Sequence, residues 1–486
     1  MNCLRFFAIA LLMLIAGHAR AAALVTFVHM NDIYEIQSVE GGRYGGMARV
    51  ATVVDRLRKA HAPLLVTLGG DYLSPSALGT ARVEGSALAG RQMVDVLNHI
   101  GVDWATFGNH EFDVSEAAFR RHLEQVNFRL VSSNVVAADG QPFPNAATSA
   151  IATVKSGRRT LRIGLIGVTL DATLAPWVKY RDAIASARER IAEIRDKVDA
   201  IVALTHLTLA QDTDFLAALP EIDLVLGAHD HENWLLRRGP RLVPIVKADA
   251  NARSLAVATM HFDTRGSRPR VDVRLVSVDA SIPDKPAVAA RVAHWTQLGF
   301  AGFRRDGFEP EKVVVTTREP LDGRESVVRN RPGRLTDLIA AAMAREAAPV
   351  DVALFSGGSV RVDDVLPAGP ITEYDIIRVL PFGGRIVAVT MEGALLARVL
   401  DMGENNQGLG GYLHSRGAVH RKDGWYIGDR PLDPAARYRV ALSDFLLTGG
   451  EVNLGFLTRT HPQVQDLREL RDIRHALIEE LKATYR

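Results

Sequence analysis

Gly108-Asn109-His110-Glu111-Phe112-Asp113 brings a metal-ligand amide, an imidazole and a carboxylate into six residues. It follows Trp104-Ala105-Thr106-Phe107, an apolar run that reads as a short buried strand, so the hexapeptide lies on the loop leaving a strand's carboxyl end. Open α/β sheets keep their sites on such loops. Asn109 alone is an ordinary turn residue and His110 alone an ordinary surface histidine. The hexapeptide decides the fold only if other metal-seeking side chains leave strands in the same way.

Residues 24–30 are β-branched and aromatic, as strands are, and run into Asn31-Asp32. Residues 63–68 end in Gly69-Gly70-Asp71, where the glycines permit close backbone approach. Ile184, Ala187, Ile191, Ile194 and Val198 recur at helical spacing and feed a strand at residues 201–204 that exits into Thr205-His206. Residues 223–226 exit into Gly227-Ala228-His229-Asp230-His231. One such residue after a strand is usually a cap. Five strand ends carrying Asp, Asp, Asn-His, His and His-x-His describe a metal centre on an α/β frame. Carboxylate and imidazole suit hard or borderline divalent ions, and one carboxylate between two clusters can bridge two ions roughly 3.5–4 Å apart.

The chain opens with an apolar run at residues 6–16 followed by Ala19-Arg20-Ala21, the pattern of a signal peptide over residues 1–21. No later segment approaches the roughly 20 apolar residues of a spanning helix. The expectation is an exported protein, periplasmic or extracellular, with no stable membrane anchor. The one cysteine, Cys3, lies in that opening segment, which leaves the expected mature chain without a thiol. A chain of this length buries enough core without disulfides. Removing Arg5 and Arg20 leaves 56 basic against 56 acidic residues, so polymeric nucleic acid is not an expected partner.

Around Ser281-Ile282-Pro283-Asp284-Lys285-Pro286 the strand–helix alternation stops and a helix-like segment, residues 287–298, begins. Beyond it Leu335, Leu338, Ile339 and Ala342 mark a helix. Residues 350–355 mark a strand running into Ser356-Gly357-Gly358-Ser359-Val360-Arg361, where a glycine pair before an arginine suits an anion. The expected division is a catalytic domain at 22–283, a linker-helix region at 284–310 and a substrate-binding domain at 311–486.

In their order along the chain, Asn31-Asp32, Gly69-Gly70-Asp71, the hexapeptide, Thr205-His206 and the His229-Asp230-His231 segment resemble the secreted metallophosphoesterase family of 5′-nucleotidases and UDP-sugar hydrolases. The resemblance covers nearly all of the chain after residue 21. It implies a four-layer α/β/β/α metallophosphatase domain of the calcineurin-like type, followed by an α/β 5′-nucleotidase C-terminal domain. One divalent ion would be held by Asp32, Asp71 and His231, a second by Asp71, Asn109, His206 and His229. His110 would stabilise the phosphoryl group from outside the metal shell, oriented by Asp113. In the second half, Arg324, Arg329 and Arg361 match positions that clamp anionic oxygens, and Phe382 and Phe445 match two rings that sandwich a base. Glu451 replaces an aspartate that binds ribose hydroxyls.

The chain departs from the family pattern at two places. Tyr34 stands where a ligand histidine is usual, and Arg331-Pro332-Gly333-Arg334-Leu335 replaces an Asn-x-Gly motif. Beside Tyr34, Glu35 reads as a solvated loop acid. The resemblance implies hydrolysis of nucleoside 5′-monophosphates by a hydroxide activated by two divalent ions. These would be Mn²⁺, Zn²⁺, Co²⁺ or Mg²⁺, with Mn²⁺ favoured by the oxygen-rich shell. UDP-sugars or 2′,3′-cyclic nucleotides are the alternative substrates. A weakly active exported nucleotide-binding protein is the alternative of a different class.

Overall fold

Alternation inside the first strand explains the layering. The computed structural model describes residues 23–61, 63–171, 175–264 and 266–485, and the expected signal peptide lies outside the described residues. In Ala23–Met30, Val25 and Phe27 point to one face and Val28 and Met30 to the other, and all four are fully buried. A strand covered on both sides belongs to an inner layer. It is the fifth strand of a seven-stranded sheet ordered Ala146–Ala147, Arg129–Val131, Trp104–Ala105, Leu64–Leu68, Ala23–Met30, Ser254–Phe262 and Arg270–Ser277. The four strands from Arg129–Val131 to Ala23–Met30 are parallel to one another, and the last two are antiparallel additions.

A second sheet of six strands runs Ala150–Ser156, Arg159–Thr169, Ala200–His206, Leu224–Gly227, Val243–Lys247 and Trp234–Arg238. Val25, Phe27, Leu65 and Trp104 of the first sheet pack against Leu161, Ile163, Val202 and Leu224 of the second, forming a dry layer between them. Helices Met47–Ala60, Arg91–Ile100 and Glu116–Gln125 cover the outer face of the first sheet, and Ala183–Ile194 and Leu209–Ala218 that of the second. The order is α/β/β/α, as expected.

The helix after the expected boundary, Pro286–Arg305, starts on a proline at its first turn. It lies on the N-terminal half, against Met47–Ala60 and Arg91–Ile100. Asp95 accepts hydrogen bonds from Arg291 Nε (2.8 Å) and Trp295 Nε1 (2.7 Å). The C-terminal half is built on a five-stranded sheet, Leu413–Arg416, Val352–Ser356, Arg437–Ser443, Arg385–Glu392 and Val464–Asp472. Arg334–Glu346 and Ile473–Thr484 cover one face and Gly393–Asn405 the other.

Candidate metal centre and active site

Parallel strands point their carboxyl ends the same way, so the loops after them meet. Asp32, Asp71 and Asn109 follow strands of the first sheet, and His206, His229 and His231 end or follow strands of the second. The loops are laced by backbone bonds: Asp32 N–H donates to Gly70 O (3.1 Å), Ile33 N–H to Asp71 O (2.9 Å) and Gly69 N–H to Met30 O (2.9 Å). Asp32, Asp71, His229 and His231 all sit at positive φ (53°, 55°, 86° and 60°). Such conformations persist in non-glycine residues only where the surroundings over-determine them, and they cluster at functional sites. Gly108 is required by closeness: a Cβ there would lie 2.1 Å from Asp71 Oδ1 and 2.6 Å from His206 Cε1. The glycines of these motifs therefore let the loops approach one another, as expected at Gly69-Gly70, where a Cβ on Gly70 would lie 2.2 Å from Gly108 N.

Asp32, Asp71 and His206 are fully buried and offer ligand atoms that all lie within 4.8 Å of one another, a candidate metal site. His206 donates through Nδ1 to Gly69 O (2.9 Å), which turns Nε2 to Asp71 Oδ2 (3.3 Å) and Asn109 Oδ1 (3.1 Å). His229 adds its ring beside that of His206 (5.2 Å between centroids) and donates its backbone N–H to Asp32 Oδ2 (2.9 Å). His231 presents Nε2 to the Tyr34 hydroxyl (2.8 Å) and to Asp32 Oδ1 (3.7 Å).

The charges fit a cation. Burial alone would lower the His206 imidazole, but Asp71 and Asp32 outweigh it and raise it to about 9. Burial is likewise overcome at His231, where Glu325, Asp363 and Asp32 raise the ring to about 10. His229 is pushed down to about 2 by burial and by the neighbouring charge on His206. Burial would raise the Asp71 carboxyl, yet His206 and His110 hold it well below the usual range. Buried carboxylates whose charge raises the neighbouring imidazoles form a donor set suited to a divalent ion.

Tyr34 lies in the middle of this set. Its hydroxyl is 3.2 Å from Asp71 Oδ2 and 3.4 Å from Asp32 Oδ1, and burial followed by those two charges raises its pKa well above the ordinary value. Glu35 does not behave as the sequence suggested. It is 7% exposed rather than solvated, 3.8 Å from Arg378 Nε and 3.4 Å from the Tyr374 hydroxyl. Its partners lie in the C-terminal half, out of reach of any local reading.

At the rim, His110 shares its Nδ1 with Asp113 Oδ2 (2.6 Å) and donates its backbone N–H to Asp71 Oδ1 (2.8 Å). Glu111, to which the sequence assigned no role, is fully buried. It accepts from the backbone N–H groups of Asp71 (2.8 Å), Tyr72 (2.7 Å), Leu73 (3.2 Å) and Gly108. It pins the two loops that meet at Asp71. Burial and the Asp71 charge raise its carboxyl to about 7. Asn251 is a second unforeseen contributor, accepting from the backbone of Tyr34 (3.0 Å) and Glu35 (3.1 Å).

In the C-terminal half, Phe382 and Phe445 are 55% and 46% exposed, so neither is a core residue. Their loops are tied together where Arg385 N–H donates to Asp444 Oδ2 (2.9 Å), and the Arg361 guanidinium lies 5.9 Å from the Phe382 ring centroid. Arg329 pairs with Glu325, and Arg361 lies 3.9 Å from the same carboxylate. Among the described residues, Nε of both arginines is buried without a hydrogen-bond partner. Arg324 turns to Asp322 (2.6 Å). Glu451 is buried and accepts from Val452 N–H (2.9 Å). Arg324, Glu325, His231 and Arg253 line a cavity of about 550 Å³.

Residues 25–233 match the family model described as calcineurin-like phosphoesterase, and residues 313–457 the model described as 5′-nucleotidase, C-terminal domain. A snake venom 5′-nucleotidase of Gloydius brevicauda is 24% identical over 88% of this chain and 81% of its own length. Protein UshA of Yersinia enterocolitica is 25% identical over 89% of each chain. A solved 5′-nucleotidase precursor from Thermus thermophilus shares the fold, with a TM-score of 0.75 at 22% identity over 95% of this chain and 97% of that one. Both halves of the chain thus match in the expected order, and the chain belongs to the calcineurin-like metallophosphoesterases with a 5′-nucleotidase C-terminal domain, hydrolases of phosphate esters.

Proposed function

We propose that the protein is an exported 5′-nucleotidase that releases phosphate from nucleoside 5′-monophosphates with the help of two divalent ions. The observation that carries this reading is the position of Asp71, whose Oδ2 meets both His206 Nε2 (3.3 Å) and the Tyr34 hydroxyl (3.2 Å) while its Oδ1 receives His110 N–H (2.8 Å). A carboxylate so placed is suited to bridge. Asp32, Asp71 and His231 would hold one ion, and Asp71, Asn109, His206 and His229 the other. Ions held there supply Lewis-acid activation of water and of the phosphoryl oxygens.

The remaining work falls to the chain's own groups. With Nδ1 engaged by Asp113, His110 has Nε2 to offer a phosphoryl oxygen, where a fixed donor stabilises developing charge. The exposed rings of Phe382 and Phe445 would take the base between them, Arg329 and Arg361 the anionic oxygens, and Glu451 the ribose hydroxyls. Exposed aromatic rings on tethered loops, beside guanidinium groups with unpartnered donors, support that assignment. The catalytic domain would span 22–283, the linker-helix region 284–310 and the substrate domain 311–486. Export is supported by the apolar run at residues 6–16 and its small-residue flank; among the described residues no helix is long and apolar enough to cross a membrane.

Hydrolysis of AMP, UDP-glucose, 2′,3′-cyclic AMP and p-nitrophenyl phosphate, each with Mn²⁺, Mg²⁺, Co²⁺ or Zn²⁺ and each followed by its own product (phosphate, UMP with glucose 1-phosphate, ring-opened AMP, p-nitrophenol), tests the reading. The highest kcat/KM is expected for AMP with Mn²⁺. Faster UDP-glucose cleavage would make this a UDP-sugar hydrolase, and AMP binding without turnover a nucleotide-binding protein. Because the Tyr34 phenol supplies oxygen where nitrogen is usual, Tyr34→His is expected to tighten one ion after dialysis and shift preference toward Zn²⁺ or Co²⁺.

A further inference from the structure

We propose that Asp363, in the C-terminal half, is a positioning residue for His231, and that the ion held by His231 therefore depends on docking of the C-terminal domain. This rests on the reading of His231 as a metal ligand. Two histidine rings approach Asp32, those of His206 (3.9 Å) and His231 (3.7 Å), and they are oriented by different parts of the chain. His206 donates through Nδ1 to Gly69 O, a group of its own domain. His231 instead directs Nδ1 at Asp363 Oδ2 (2.8 Å), with Glu325 Oε2 next at 3.7 Å. Both carboxylates come from beyond residue 310. An imidazole whose Nδ1–H is engaged by a carboxylate has its tautomer and ring plane set, and its Nε2 becomes the better donor.

Asp363 is itself held in place. It is 6% exposed, its Oδ1 accepts from Glu325 N–H (2.9 Å), and Arg253 of the catalytic domain approaches within 3.9 Å. It sits at φ 37°, a conformation that a non-glycine residue keeps only under such constraint. The same Glu325 pairs with Arg329 and lies near Arg361. The segment that orients His231 is therefore continuous with the arginines proposed to receive substrate. The geometry makes one ion a property of the catalytic domain alone and the other a property of both domains together.

The test is calorimetric titration of the metal-free full chain with Mn²⁺, in wild type, Asp363→Gly, Asp363→Asn and His231→Ala, with far-UV circular dichroism and melting as checks on folding. Glycine removes the carboxylate and tolerates the positive φ, whereas asparagine keeps an oxygen acceptor. Asp363→Gly is expected to weaken one ion about 10–100-fold and leave the other unchanged, with Asp363→Asn recovering most of the loss. Wild-type affinity for both ions in Asp363→Gly, alongside loss of one ion in His231→Ala, would overturn the proposal and leave the ligand assignment standing. Equal weakening of both ions, or no recovery in Asp363→Asn, would reduce Asp363 to a structural residue and also overturn it. Unchanged binding in His231→Ala would overturn the ligand assignment and the proposal together.

Discussion

Replacing Lys247 by methionine should both destabilise the catalytic domain and loosen its metal centre. Lys247 ends the strand Val243–Lys247 and is fully buried. Its ammonium donates to Leu207 O (2.6 Å), Ala228 O (2.8 Å) and Asp230, and forms an ion pair with Asp212 Oδ2 at 2.8 Å. Leu207 adjoins His206 and Ala228 adjoins His229, so one cation pins both histidine loops of the second sheet. Methionine keeps the volume and removes the charge. Asp212, also fully buried, would then retain only the Thr205 hydroxyl (2.6 Å). Breaking a buried ion pair from one side typically destabilises by about 3–5 kcal/mol. Burial already raises the Asp212 carboxyl against the pull of Lys247, so the carboxyl can take up a proton and limit the loss. At about 2–4 °C per kcal/mol for a domain of this size, the melting point should fall by roughly 10 °C. Urea unfolding at pH 7 and scanning calorimetry measure both quantities. Lys247→Met combined with Asp212→Asn should regain at least about half of the loss, because the uncompensated charge is then gone. A single variant within about 0.5 kcal/mol of wild type, or a double variant no better than the single, would refute this account.

His110→Ala is expected to lower kcat while leaving bound metal nearly unchanged, whereas Asp71→Ala should lose metal; elemental analysis beside kinetics separates the two, and the reverse pattern would sink the shell assignment. Phe445→Ala should weaken AMP binding by about 1–3 kcal/mol, read as a higher KM, and barely change p-nitrophenyl phosphate hydrolysis. Stability should also fall in mild acid. Burial, only partly offset by backbone carbonyls, lowers His29 and His122 to about 4, below the ordinary 6.5, so between those pH values the unfolded chain binds more protons than the folded one. Their contribution is complete above pH 6.5 and is lost as the pH falls toward 4. His122→Gln should flatten that slope by about 2–3 kcal/mol across the window in urea titrations, and an unchanged slope would show that other groups carry it.

The parts legible in the sequence were those in which short-range pattern and chemistry coincide. The strand leading to Asp32 announces itself by β-branched residues, and a ligand residue stands directly after it. The Asp71, His206 and His229 segments repeat the device, so an α/β frame with a site at its strand ends could be read from the pattern, while the two-sheet layering was implied by the family resemblance alone. What escaped depends on partners far along the chain. Glu35 looked solvated because Arg378 and Tyr374 lie more than 330 residues away. Lys247 carried no reading from the sequence, since nothing local marks it as buried against Asp212. Glu111 sat inside the most informative hexapeptide, yet its task of collecting backbone N–H groups from another loop has no residue-level signature. The helix expected to end near Leu298 continues to Arg305 through Gly299 and Gly302, poor helix formers by propensity. Both are chosen by packing: a Cβ at Gly302 would stand 2.6 Å from Arg82 O.

The Arg378 network bears on how such a protein can be divided or recombined. Its guanidinium, buried in the C-terminal half, holds Asp364 of that half (2.7 Å) and Glu35 of the other, while Glu40 N–H reaches across to the same Asp364 (3.0 Å). A seam lined by desolvated charges does not separate cleanly, because each side needs the other's counter-charge to remain folded as it is. Exchanging the C-terminal half for a relative's, in the laboratory or by gene fusion, would strand Glu35 unless the incoming half carried an arginine at the matching place. The two halves therefore fit as a matched pair, and a change on one face of the seam constrains which changes the opposite face can accept.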